Sequence, residues 1–225
     1  LNSKIIPLTE SKTVVELVSF LCMEMAKLKI GERYILGIVG YPGAGKSTVS
    51  DWLAKGVNEH FPGLTKVVPM DGYHFSNEKL EELHLRELKG IPDTFDAHGF
   101  VDLLRRLRTT TDQTVYCPLF DRSIEASIPD AIVVTPEHML CIVEGNYLLF
   151  EKEPWHQCKE FFDEVWFLDT TFDTILPRLI DRHIQSGRTP EGAKAKVDCT
   201  DMPNARLIEQ TKIRATRVIA ISNDP

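Results

Sequence analysis

Apolar residues recur along this chain with two different spacings. Between positions 11 and 29 they fall at Val14, Val15, Leu17, Val18, Leu21, Cys22, Met25 and Leu28. Steps of three and four predict an amphipathic helix whose apolar stripe covers a neighbouring layer. The next run, Tyr34-Ile-Leu-Gly-Ile-Val39, is short and continuous, as in a strand buried on both faces. A helix is predicted over 48–57, and further strands over 64–70, 139–143, 164–168 and 217–221. Helical segments separate most of these strands. That alternation predicts an α/β fold with a mainly parallel sheet and right-handed crossovers. Ligands of such a sheet bind beyond the carboxyl ends of its strands.

Residues 72–130 break the rhythm. They are polar and irregular, with helix signals only at 101–108 and in a mixed-charge, solvated stretch at 78–87. The chain shows no internal repeat and no low-complexity tract. At 225 residues it fits one domain, 1–225, with an N-terminal helical segment over 1–33 and an insertion over 72–130.

Charge and cysteine content narrow the partners. A net charge of −7 argues against a nucleic-acid binder, which carries a basic stripe or balance. No apolar stretch approaches the ~18 residues of a membrane span, and no membrane partner is expected. The first residues lack the apolar core of a secretory leader, although the chain does not begin with Met. Cys22, Cys117, Cys141, Cys158 and Cys199 are scattered and form no C-x-x-C pair. They read as reduced thiols of a cytoplasmic protein. The oligomeric state stays open, a homodimer included.

The sharpest chemical signal follows the 34–39 strand: Gly40-Tyr-Pro-Gly-Ala-Gly-Lys-Ser-Thr48 is G-x-x-x-x-G-K-S between a strand and a helix. This is a phosphate-binding loop. Gly40, Gly43, Ala44 and Gly45 are its backbone, curling so that N–H groups meet phosphate oxygens. Lys46 is expected as a solvent-facing charge reaching the β/γ-phosphates. Ser47 is placed to ligate Mg²⁺, and Thr48 opens a helix whose positive end faces the phosphates.

Three apolar strands end in a carboxylate: Asp71, Glu144 and Asp169. Nucleotide-bound Mg²⁺ needs hard oxygen ligands, so Glu144 is a candidate to hold it, directly or through water. Phosphoryl transfer to an alcohol also needs a group to orient the hydroxyl and take its proton. Asp71 is the candidate for that base. Asp169 is assigned a structural role, because Thr170 and Thr171 after it mark a helix start.

The set of Gly40 to Thr48, Met70-Asp-Gly-Tyr-His74, Phe95-Asp96, Pro118-x-Phe-Asp121, Glu144-Gly-Asn-Tyr-Leu148 and Arg178-x-x-x-Arg182 resembles the phosphoribulokinase/uridine kinase family, which includes the bacterial type of pantothenate kinase. The resemblance runs from about Tyr34 to the end of the chain. The stretch Asp201-Met-Pro-Asn-Ala-Arg-Leu-Ile208 is similar to uridine-kinase-like bacterial proteins called nucleoside or fructose-transport kinases. The resemblance implies a P-loop fold with a five-stranded parallel core, ATP with Mg²⁺ as donor, and a small alcohol as acceptor. By motif, Asp71 falls on the family's catalytic aspartate, Glu144 on its Walker B acid, and Arg178 and Arg182 on its lid. The chain departs from the usual uridine kinase wording Asp-Ser-Phe-Tyr; it carries Asp71-Gly-Tyr-His74.

Arg178 and Arg182 lie four apart, on one face of a predicted helix within a lid region over 172–200. Arginines on a closing helix neutralise charge on a transferring phosphoryl group. Pro177, past the first turn, is expected to kink that helix. The acceptor pocket is expected within 72–130, from Tyr73, His74, Arg86, Phe95, Asp96, Asp121 and Arg122, with Lys89 and His98 as further candidates. The residues thus predict an ATP-dependent small-molecule kinase acting on a sugar-type, nucleoside-type or pantothenate-like metabolite. The rival is a P-loop NTPase or nucleotide switch with no small acceptor. The missing N-K-x-D guanine-reading motif and the presence of Asp71 count against it.

Overall fold

A computed structural model describes residues 5–8 and 12–221. Its strands are β1 (Ile5–Leu8), β2 (Tyr34–Gly40), β3 (Thr65–Pro69), β4 (Val115–Asp121), β5 (Ala126–Val134), β6 (Leu140–Gly145), β7 (Glu164–Asp169) and β8 (Arg217–Ile221). The α-helices are α1 (Lys12–Met25), α2 (Lys46–His60), α3 (Asn77–Glu82), α4 (Ala97–Thr109), α5 (Phe172–Gln185), α6 (Pro190–Lys196) and α7 (Met202–Glu209). The first position of the predicted N-terminal helix, Ser11, lies outside the described residues, as do residues 1–4 on which part of the leader reading rests.

The main sheet is parallel throughout, in the order β1-β8-β7-β2-β6-β3. It has six strands, one more than expected: β1 adds a parallel edge beside β8, pairing Ile5 with Val218 through Leu8 with Ile221. The four residues of β1 are too few for a periodic signal. β2 lies between β7 and β6 and is buried along its whole length, which explains its unbroken apolar run.

Alternation along the strands divides the core into two layers. Leu36 and Ile38 of β2, Ile142 of β6 and Trp166 of β7 face Leu17, Leu21 and Met25 of α1 and Leu53 and Val57 of α2. Ile35 and Val39, Val143 and Phe167 face the other way, towards Phe100, Leu104 and Leu107 of α4 and Ile175 and Leu179 of α5. Residues two apart share a layer and neighbours oppose, as the pleat requires.

The segment read as polar and irregular holds an antiparallel hairpin, β4–β5, as a separate two-stranded sheet. Its register shifts between Cys117 and Leu119, around Pro118, and Pro129 lies in β5. Proline cannot donate to a ladder, and two prolines hide these strands from a pattern reading. α5 runs through Pro177 as one helix, so the expected kink does not divide it. Arg33 is buried and donates to Leu107 O at 2.8 Å, His138 O at 3.0 Å and Thr135 O at 3.2 Å, joining the end of α4 to the entry of β6. No helix among the described residues is long and apolar enough to cross a membrane.

Candidate active site

Three neighbouring strands deliver the predicted groups to one edge of the sheet. β2 ends in the phosphate loop, Glu144 lies near the end of β6, and Asp71 sits in a 3₁₀ turn, Met70–Tyr73, directly after β3. Glu144 is in register with Ile38 on one side and Pro69 on the other. The topology therefore brings together groups separated by up to about a hundred residues of chain.

Gly43 and Gly45 occupy the left-handed region, with φ of 79° and 86°. Gly45 is the residue before α2 and offers no side-chain cap, so the first amides of α2 are left for an anion. Lys46 is half-buried rather than solvent-facing: Nζ donates to Asn146 Oδ1 at 2.6 Å, Tyr41 O at 3.0 Å and Gly40 O at 3.1 Å. Two carbonyls of the loop and the Asn146 amide oxygen thus draw the ammonium inward. Burial lowers its pKa, with Glu144 and Asp71 acting against that shift.

Ser47 Oγ donates to Glu144 Oε1 at 2.8 Å. Glu144 is 6% exposed, and burial raises its pKa despite Lys46 nearby. A serine hydroxyl and a buried carboxylate in contact form a hard-oxygen pair that fits Mg²⁺, with phosphates and water to supply the remaining ligands. Asp71 Oδ2 accepts from Arg122 Nη2 at 2.9 Å. Burial alone would raise the Asp71 pKa, but the adjoining His74 ring and the cations Arg122, Lys46 and Arg182 hold it below the ordinary carboxylate value. The ring of His74 reaches back to Asp71 O through Nδ1 at 2.9 Å. It lies between Phe95 and Phe120, at centroid distances of 3.9 and 5.0 Å, and burial lowers its pKa.

These groups open on a cleft of about 540 Å³. Gly43, Gly45, Lys46, Ser47, Thr48, Asp71, His74, Arg86, Phe95, Arg122, Glu144 and Arg182 all line it. Other predicted residues lie outside its walls. Asp96 caps α4, accepting from Gly99 N at 2.9 Å, and Asp121 closes the hairpin turn by accepting from Ser123 N at 2.8 Å and Ser123 Oγ at 2.6 Å. Tyr73 packs edge-on against Phe100 at 5.4 Å, and burial raises its pKa. Gly40 and Ala44 belong to the loop but lie behind its inner surface, and His98 stays on the exposed face of α4. Arg178 Nη1 donates to Gly43 O at 3.3 Å, a contact to the loop backbone rather than to the cleft. Asp169 pairs with Lys212 at 2.5 Å and Thr171 caps α5, consistent with the structural role read for that strand end.

Several cleft residues escaped the sequence reading. Asn146, two positions after Glu144, holds the Lys46 ammonium and was within reach of the same motif. His183 on α5 and Asp201 form a largely buried pair, Nε2 to Oδ2 at 2.6 Å, and both line the cleft. Nothing local in the sequence links positions eighteen apart in this way. Lys196 and Asn204 complete the far wall from α6 and α7.

Comparison with known proteins places the chain among P-loop kinases. No family model matches it. It is 37% identical over 193 residues to a Schizosaccharomyces pombe protein named "Putative uridine kinase C227.14", covering 83% of this chain and 82% of that protein. It is 33% identical over 159 residues to the ATP-dependent kinase-like protein notR' of Aspergillus versicolor, covering 67% of this chain and 92% of that one. Among solved structures, a protein of Silicibacter sp. TM1040 described as a "putative fructose transport system kinase" superposes with a TM-score of 0.83 at 34% identity, over 92% of this chain and 99% of that one. With a P-loop, a buried glutamate near a strand end and a strand-end aspartate on one parallel sheet, and relatives that match over most of both lengths, the chain belongs to the uridine-kinase-like family of P-loop kinases.

Proposed function

We propose that this protein transfers the γ-phosphoryl group of ATP to a hydroxyl of a small metabolite. The observation that carries the reading is the convergence of the phosphate loop, the Ser47–Glu144 pair and Asp71 on one cleft from three adjacent strands. The first amides of α2 and Lys46 bind the triphosphate, and Arg182 neutralises charge on the phosphoryl group from the lid side. Arg178 holds the loop backbone from the same helix face. Ser47 and Glu144 would hold Mg²⁺, which when bound would offset the negative charge of the phosphates. Asp71, kept ionised by its cationic neighbours, orients the acceptor hydroxyl and accepts its proton as the new P–O bond forms. Relatives named as ATP-dependent kinases support ATP as donor.

The acceptor in this reading is a small molecule bound beyond the phosphate loop, between the 72–130 segment and the helices after β7. The protein works in the cytoplasm, where its five unpaired cysteines stay reduced. The test is ATP consumption across a panel of nucleosides, pantothenate, sugars, sugar phosphates and hydroxy acids, with the phosphorylated product identified. Saturable turnover with one compound class supports the reading. Equal ADP formation with and without every compound, or transfer only to a protein hydroxyl or a polynucleotide end, overturns it.

A further inference from the structure

Seven Lys and Arg side chains line the cleft against four Asp and Glu, in a chain whose net charge is −7. Part of this excess belongs to the phosphate loop and α5. The rest lies at the opposite end. Lys196 Nζ donates to Glu87 O at 2.7 Å and Lys89 O at 3.1 Å. Lys89 Nζ donates to Asn77 Oδ1 at 2.8 Å and Glu125 O at 3.2 Å. The Glu125 carboxylate turns instead to Arg86, at 3.3 Å. Among the described residues neither ammonium is paired with a carboxylate, although burial draws the pKa of both downward. The carboxylates of Glu125 and Asp201 act on these two cations only from beyond ion-pair contact, and their hydrogen bonds go to neutral oxygens, so both can take an anionic ligand.

The aromatic surface beside them is already engaged. Phe95 and Phe120 flank His74, and Lys89 Nζ lies 4.9 Å from the Phe120 centroid. A stacked nucleobase would compete with these contacts for the ring surface. The neighbouring wall offers a hydrogen-bond acceptor instead. Asn204 is 5% exposed, donates through Nδ2 to Gly90 O at 2.9 Å and to Tyr147 Oη, and leaves Oδ1 buried with no partner. A buried amide oxygen of this kind is satisfied by a donor such as a hydroxyl.

We infer that the acceptor is a small hydroxylated anion, a hydroxy acid or a sugar phosphate, whose carboxylate or phosphate rests on Lys89 and Lys196 and whose second hydroxyl donates to Asn204. This rests on the kinase reading above. The reacting hydroxyl oxygen forms its bond to the γ-phosphorus, the bond from that phosphorus to the β–γ bridging oxygen breaks, ADP leaves, and the hydroxyl proton passes to Asp71.

Two measurements test the inference. The first compares turnover of matched pairs that differ by the anionic group: glycerate against glycerol, fructose 6-phosphate against fructose, with uridine as the stacking alternative. An anionic compound is expected to exceed its neutral partner by about a hundredfold or more in kcat/KM, with glycerate and fructose 6-phosphate separating carboxylate from phosphate recognition. The second titrates inorganic phosphate by NMR into protein saturated with a non-hydrolysable ATP analogue and Mg²⁺, so that the phosphate loop is filled. Binding is expected, and Lys89→Met or Lys196→Met should each weaken it about tenfold while analogue affinity and melting temperature stay near wild type. If phosphate binds and both variants weaken it but no small molecule accepts phosphate, the kinase reading falls and the anion site stands. If a neutral compound is the best acceptor and Lys89→Met leaves its KM unchanged, or if phosphate does not bind the analogue-loaded protein, the anionic acceptor is ruled out.

Discussion

Arg122 Nη2 meets Asp71 Oδ2 at 2.9 Å, a bond across 51 residues of sequence that ties the β4–β5 hairpin to the end of β3. The guanidinium is 60% exposed and the carboxylate 30%, so the contact is partly screened and contributes little to folding. Its effect is on charge. Arg122 is one of the cations that keep Asp71 below the ordinary carboxylate pKa. Arg122→Ala should therefore raise the Asp71 pKa, and the acid limb of the kcat/KM profile should move to higher pH. KM for the acceptor should rise, while the Kd for ATP stays near wild type. An acid limb that does not move would remove Arg122 from the electrostatics of Asp71.

Asp71→Asn keeps the shape of the side chain and its bond to Arg122 but cannot take a proton. A loss of about 10² to 10⁴ in kcat is expected, with ATP affinity little changed. Collapse of ATP binding would place Asp71 in the metal site instead and exchange its role with that of Glu144.

Lys46→Ala should abolish transfer, costing about 3 kcal/mol or more of transition-state stabilisation, the scale of one lost electrostatic donor. The structure adds a consequence that a solvent-facing lysine would not have. Removing Nζ frees Asn146 Oδ1 and the carbonyls of Gly40 and Tyr41. The nucleotide-free protein should melt slightly lower, by a measurable amount in calorimetry. Activity within about threefold of wild type would contradict the role given to this residue.

Glu144 gives a prediction of opposite sign. Burial penalises its charged form and holds its folded-state pKa above the ordinary carboxylate value. The folded protein therefore binds this proton more tightly than the unfolded chain, and the associated stability is lost as pH rises through the raised pKa. Glu144→Gln cannot ionise. In the absence of Mg²⁺ and nucleotide it should melt higher than wild type at neutral pH, the difference shrinking as pH falls from the raised pKa towards the ordinary carboxylate value. The same variant should lose Mg²⁺-dependent turnover. A lower melting temperature at neutral pH would show that the Glu144 charge is well compensated by Lys46 and Ser47.

Much of this arrangement is legible in the sequence, for reasons that differ by residue. The phosphate loop is local: strand, glycines, lysine and helix follow one another, so spacing alone identifies it. Glu144 and Asp71 are readable because apolar strands announce their own ends. His183 and Asp201 are not, since only the packing of α5 against the turn before α7 brings them together. Asp96 and Asp121 mislead for the opposite reason. Both are short acceptors next to backbone donors, and such side chains serve caps and turns as readily as ligands. The hairpin stays hidden behind Pro118 and Pro129, although it carries Phe120 and Arg122 into the cleft.

Gly72 decides how that hairpin meets the Met70–Tyr73 turn. A Cβ at this position would lie 2.3 Å from Pro118 O and 2.7 Å from Pro118 C, both backbone atoms that cannot rotate away. The β4 strand thus crosses directly over the Met70–Tyr73 turn, and only a glycine admits so close an approach. Gly72→Ala must push either the turn or the bulged strand aside. Overpacking of this kind costs about 1–3 kcal/mol, to be read as a lower melting temperature or denaturation midpoint. Because Asp71 precedes Gly72 and Arg122 follows β4, the displacement should also separate those two side chains. The variant is expected to bind ATP with near-native affinity through its intact phosphate loop while losing most of its kcat. Near-native stability together with near-native kcat would mean that the hairpin and the turn are not held against each other as the structure places them.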